Sequence, residues 1–138
     1  MIASLLIPAL AIAGSGKGIV PHWGASVTDG KPSWIYLSNI TDDVINVEVS
    51  FYDKNGTKLA PSTFNNFITT DTQLAANSSG YVSIKSGGFN HGYAVIEWSD
   101  TSGNDNTVAL VAHGYRVMAD GTDIRGDFTI QINNGVPF

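Results

Sequence analysis

The sequence predicts an all-β chain folded as a single antiparallel β-sandwich, jelly-roll or immunoglobulin-like, with an apolar N-terminal arm. Three observations carry that expectation. Apolar and polar residues alternate with period two in several short segments. Clusters of Gly, Asn, Asp and Ser separate those segments. After residue 18 no apolar stripe of helical period is sustained. At 138 residues the chain suffices for one buried core. The expected division is an arm and glycine hinge over 1–17 and a β-domain over 18–138.

Met1 to Ala13 carries no charge and one polar side chain, Ser4. A secretory signal needs basic residues ahead of its apolar stretch, and only Met1 precedes Ile2. A membrane span needs about twenty apolar residues, and Pro8 interrupts this run. The expectation is a retained arm, packed on its own domain or a neighbouring subunit through Ile2, Leu5, Leu6, Ile7 and Leu10. Burying each of these contributes about 1.5–3 kcal/mol, ample to fix the arm. Gly14-Ser15-Gly16-Lys17-Gly18 resembles a phosphate loop, but Gly18 stands where Ser or Thr is needed. It reads as a hinge.

Trp34–Asn39 is the first clear strand. In Val44–Tyr52, Ile45, Val47, Val49 and Phe51 share one face, and Asn46, Glu48 and Ser50 the other. Asn55-Gly56 then supplies two positive-φ residues for a tight hairpin, with Lys58 and Leu59 returning as far as Pro61. Pro61–Ala76 has no clear period and reads as a surface loop or irregular edge strand. Tyr81–Lys85, Tyr93–Ser99, Thr107–Met118 and Asp127–Asn133 complete the set. The final Val136, Pro137 and Phe138 are apolar and read as a second clasp toward neighbouring copies.

Composition narrows the function classes. Charged residues make up 14%, where about a quarter is usual, so surface can be buried against neighbours at little ionic cost. Net charge is −5 and the basic residues are scattered, which argues against a nucleic-acid partner. Without cysteine there is no disulfide and no thiolate metal site. A calcium loop starting at Asp53 would need glutamate where Phe64 stands. Asp100, Asn104, Asp105 and Asp120 could hold calcium between loops, but a lone acidic loop is more often solvated, and that is the reading taken. His22, His91 and His113 lack the spacing of a shared metal site.

No nucleophile elbow occurs, and Glu48 and Glu97, the only glutamates, sit on polar strand faces. No catalytic, cofactor or metal residue is assigned, and a non-enzyme is expected. Arg125-Gly126-Asp127 spells an adhesion tripeptide but runs into a strand. Asn39, Asn55 and Asn77 head glycosylation triplets, relevant only on a secretory route. Trp23, Trp34 and Trp98, with Tyr36, are candidates for stacking on a small molecule or glycan; core rings are the competing assignment.

Gly18-Ile19-Val20-Pro21, the acidic turn Asp42-Asp43 and V-x-V-x-F-Y at Val47–Tyr52 come in an ordered series. Gly92-Tyr93-Ala94-Val95-Ile96 and Thr107–Ala112 follow. Over about residues 18–118 this order resembles the small β-sandwich proteins of the sensory rhodopsin transducer type. The resemblance implies a homo-oligomeric sandwich without a catalytic centre. The apolar arm and the strand after Gly126 depart from that pattern. The leading expectation is a structural subunit of a large particle, such as a virion decoration, capsid, tail or surface-filament protein, placed on a virion or outside the cell. Its partners would be copies of itself or other subunits, with no cofactor and no membrane span. The alternative is a soluble transducer-like or carbohydrate-binding adaptor, cytoplasmic if transducer-like.

Overall fold

The computed structural model describes residues 13–26, 31–120 and 123–138, and for 117–120 and 123–128 it describes the backbone alone. The arm residues Ile2, Leu5, Leu6, Ile7 and Leu10 therefore lie outside the described residues. Among those described, ten strands form: β1 (Ser15–Ala25), β2 (Ser33–Asn39), β3 (Ile45–Asp53), β4 (Lys58–Leu59) and β5 (Thr63–Asn65). They continue with β6 (Gln73–Leu74), β7 (Ser79–Ile84), β8 (Asn90–Asp100), β9 (Leu110–Asp120) and β10 (Asp123–Gln131). A short 3-10 turn follows at Asn133–Gly135.

The strands make two antiparallel sheets. One runs β1-β8-β3-β4, with β6 also on β3; the other runs β10-β9-β2-β7-β5. Both feed one core. Ile45, Phe51, Ile96 and Trp98 enter it from the first sheet, and Ile35, Leu37, Val82, Ile84 and Leu110 from the second. In β3 the predicted alternation holds, except that Ser50 is also buried, with its hydroxyl donating to Glu48.

The glycine-rich stretch differs from the hinge expectation, because Ser15–Val20 is strand, paired with β8 from Ser99 to Ala94. Its inward positions are glycine for want of space. A Cβ on Gly16 would stand 2.3 Å from Trp98 Nε1, and one on Gly18 2.4 Å from the Phe138 ring. The hairpin after β3 also differs. Gly56 alone has positive φ there, with its N–H on the Asp53 carbonyl, and Asp53 N–H donates to the Thr57 carbonyl. That is a three-residue loop closed by a left-handed glycine. The Asp53 carboxylate fixes it by accepting from the N–H groups of Asn55 and Thr57.

Pro61–Ala76 contains the short strands β5 and β6, joined by a left-handed turn in which Thr69, Thr70 and Asp71 all have φ between 53° and 63°. Three consecutive non-glycine residues there are costly, about 1–2 kcal/mol each. Thr69 Oγ1 on Gln73 Oε1 and Thr72 Oγ1 on the Thr69 carbonyl hold the turn. Asn39 is buried, its amide donating to the carbonyls of Asp43 and Ala75 and accepting from Thr41, so this triplet asparagine is a structural bolt. Arg125-Gly126-Asp127 lies within β10, beside a register shift between Ile124 and Gly126.

Candidate functional site

One edge of β3 is fully paired with β8, but the other is interrupted. There β6 covers Ile45 and Asn46, while β4 covers Phe51 and Tyr52. Val47 N–H still reaches the Thr72 carbonyl at 2.9 Å. By strand alternation the N–H and C=O of Val49 point the same way, and no strand lies opposite them among the described residues. The gap opens into a cleft of about 730 Å³. Val47, Val49, Leu59, Pro61, Phe64 and Trp98 line it, and Thr70 and Asp71, both at positive φ, form part of the rim with Thr72.

Across the outer face of the same sheet runs a row of four charges on four successive strands: Lys17, Glu97, Glu48, Lys58. Glu48 and Glu97 are directly opposed in register. Lys17 Nζ meets Glu97 Oε1 at 3.2 Å, and Lys58 Nζ meets Glu48 Oε1 at 2.9 Å. Opposed carboxylates invite comparison with an acid–base pair, which needs one carboxyl raised toward neutrality. Glu48 moves the other way. The hydrogen bond from Lys58, then that from Ser50, hold its carboxyl below the usual range. The flanking lysines make the row a charge-balanced ladder on an exposed surface.

The second sheet carries an aromatic row on its outer face. Tyr36 of β2 stacks on His113 of β9 at 5.2 Å and tilts against Tyr81 of β7 at 5.5 Å. Trp34 tilts against Tyr115 at 5.8 Å. Tyr36 and His113 are exposed, whereas Trp34, Tyr81 and Tyr115 are half-buried. A third cluster sits where β1 and β8 meet: Phe89 stacks on His91, the Arg116 guanidinium lies 5.5 Å from the Phe89 ring, and His22 is 6.3 Å from His91. Partial burial, then the nearby Arg116 and His91 charges, push the His22 pKa down. Among the described residues no three His, Cys, Asp or Glu side chains gather as metal ligands.

The three tryptophans separate. Trp23 is 1% exposed, and its Nε1 donates to the carbonyls of Tyr52 and Tyr93. Trp98 is 3% exposed, and its Nε1 donates to the Phe138 main-chain oxygen at 2.8 Å. Both are core rings, so stacking on a ligand is open only to Trp34. The C-terminal residues also divide. Val136 is exposed and Pro137 half-buried, but Phe138 is buried in its own domain, bonded through its main chain to Ala109 and Leu110. Phe138 is thus an internal clasp. Asp100 is likewise engaged within the fold, accepting from Ser102 and Asn106, which lower its pKa.

Sequence reasoning missed Tyr81, His113 and Tyr115 as partners of Trp34 and Tyr36, although 113 and 115 share parity on one strand. It also missed Leu59, Pro61 and Phe64, whose convergence depends on β4 and β5 crossing from one sheet to the other. No family model, curated protein or solved structure matches the chain. No helix among the described residues is long and apolar enough to cross a membrane.

Proposed function

We propose that the protein is a non-catalytic assembly subunit whose copies join through the interrupted edge of β3. On this reading the two sheets form a sandwich of jelly-roll or immunoglobulin-like kind, and the setting is a virion or an extracellular particle or filament. The observation that supports it is the open middle of β3 above an apolar cleft. An unpaired strand edge is a template for another chain, and most folds blunt or cover it. Sparse surface charge supports it too, since such a surface is buried with little desolvation cost. Sedimentation velocity over a range of concentrations tests the reading, comparing the full chain with one lacking residues 1–12. The cut spares Gly14, which is already bonded to Asn104 and Asp100. The expected result is association of the full chain alone; two monomers of equal stability would refute it.

The aromatic row favours a second reading, an adaptor of transducer-like or carbohydrate-binding type. Its tyrosines and Trp34 are neutral amphipathic rings, and Ser38 and Ser79 lie at one end with their hydroxyls 2.7 Å apart. Rings flanked by hydroxyls suit a neutral sugar face. Titration with neutral oligosaccharides is expected to show binding that Tyr36→Ala abolishes. Equal binding by Tyr36→Ala, or none by the parent chain, removes this reading.

A further inference from the structure

We propose that the cleft beside β3 is the seat for the N-terminal arm of a second copy, with Leu5, Leu6 and Ile7 entering it in extended form along Val49. This rests on the assembly reading above and specifies its joint. Four features of the molecule select that occupant.

The first is chemistry. The inner lining is aliphatic and aromatic: Val47, Val49, Leu59, Pro61 and Phe64. The charged residues of the lining stand at the rim, where Glu48 is paired with Lys58 and Glu97 with Lys17, and Asp71 sits on the turn opposite. The apolar inner lining calls for an aliphatic occupant, and residues 1–13 form an uncharged, largely aliphatic run.

The second is hydrogen bonding. Val49 presents a main-chain N–H and C=O to the gap, and these need an extended chain with both groups free. The open part of β3 covers about three residues, roughly 10 Å of strand. Leu5-Leu6-Ile7 is three residues long and ends at Pro8, which has no N–H to continue a ladder.

The third is volume. About 730 Å³ falls within the size of pockets that enclose compact apolar bodies, and it accommodates a few aliphatic side chains.

The fourth is direction. Gly14 ends the β1 ladder, its N–H on the Asn104 carbonyl and its C=O on the Asp100 N–H, where β8 stops. Extended backwards, the axis of β1 runs past the end of the sheet. Reaching its own cleft, two strands away on β3, would require a full reversal. Twelve extended residues span about 40 Å, enough to cross to another molecule. Arm and cleft are different surfaces, so the joint is either exchanged reciprocally by a pair or propagated head to tail.

The test uses the full chain. A benzophenone side chain replaces Leu6, light and ¹⁵N-labelled copies are mixed and irradiated, and crosslinked peptides are mapped. The expected product is a light–heavy crosslink into residues 58–72. In parallel, Ala60→Asp places a charge at an exposed position of the cleft lining, where the fold tolerates it. Its melting temperature should match the parent's while association weakens about tenfold or more, the loss of roughly one buried aliphatic side chain. Crosslinks within one chain, or crosslinks mapping elsewhere, overturn the proposal even where copies still associate. Parental association by Ala60→Asp overturns it as well. A full chain that stays monomeric at every concentration overturns the assembly reading and this joint together. If Ala60→Asp fails to fold, the crosslink map decides.

Discussion

Replacing Trp23 with alanine is expected to lower the melting temperature by about 10–20 °C, the largest single-site effect at a tryptophan of this chain. The ring is buried and packs edge-on against Phe51 at 5.8 Å. A bulge in β1, where the register shifts between Val20 and Trp23, turns it inward at that point. Opposite it stands Gly92, which has no room for a side chain: a Cβ there would lie 1.8 Å from the Tyr52 carbonyl oxygen. Truncating such a ring costs about 3–5 kcal/mol in a core that relaxes only partly. The same change orphans the carbonyls of Tyr52 and Tyr93, which accept from Trp23 Nε1. Total stability of a domain is only about 5–15 kcal/mol, so the variant sits near the edge of folding. Trp34→Ala is the control. It loses a tilted contact with Tyr115 and a half-buried ring, a cross-strand pair worth about 0.2–1 kcal/mol plus partial burial. Thermal unfolding followed by near-ultraviolet circular dichroism separates the two. Equal melting of both variants would mean that Trp23 is not the core ring described above.

What the sequence made legible and what it hid follow one physical line. Strands whose inward faces are built from their own large side chains announce themselves, as β3 does through Ile45, Val47, Val49 and Phe51. β1 is hidden because its inward positions Gly16 and Gly18 supply no hydrophobic signal; Trp98 and Phe138, far along the chain, fill that space. Asn55-Gly56 correctly marks a turn, but the Asp53 carboxylate selects the three-residue form over the two-residue one. At 69–71 the left-handed turn is held by threonine hydroxyls without any glycine, so nothing in the pattern announces it. The candidate site shares this limit. That Glu48 and Glu97 stand opposite each other is a matter of register between strands 49 residues apart, and register is set by the whole sheet. The cleft exists because β4 and β6 are each two residues long, a length that local periodicity does not dictate.

A pair of substitutions at Gly18 and Phe138 is expected to reverse sign in combination. Phe138→Ala alone should cost about 3–5 kcal/mol, since the ring is buried against β1 and its loss leaves a cavity. Gly18→Val alone should also destabilise, by about 1–3 kcal/mol, because the new Cβ would stand 2.4–2.8 Å from the Phe138 ring atoms. Backbone conformation contributes nothing to that second cost: Gly18 has no left-handed φ and lies in a regular ladder where valine is favoured. In the Phe138→Ala background the same valine enters vacated space and should raise stability above that of Phe138→Ala. The main-chain bonds of residue 138 to Ala109, Leu110 and Trp98 Nε1 remain available in every variant, so the cycle isolates the ring. Urea unfolding of the four chains yields the coupling directly. Additive losses would show that the ring and Gly18 do not share that space. A reversal of sign fixes Phe138 as the plug of its own fold.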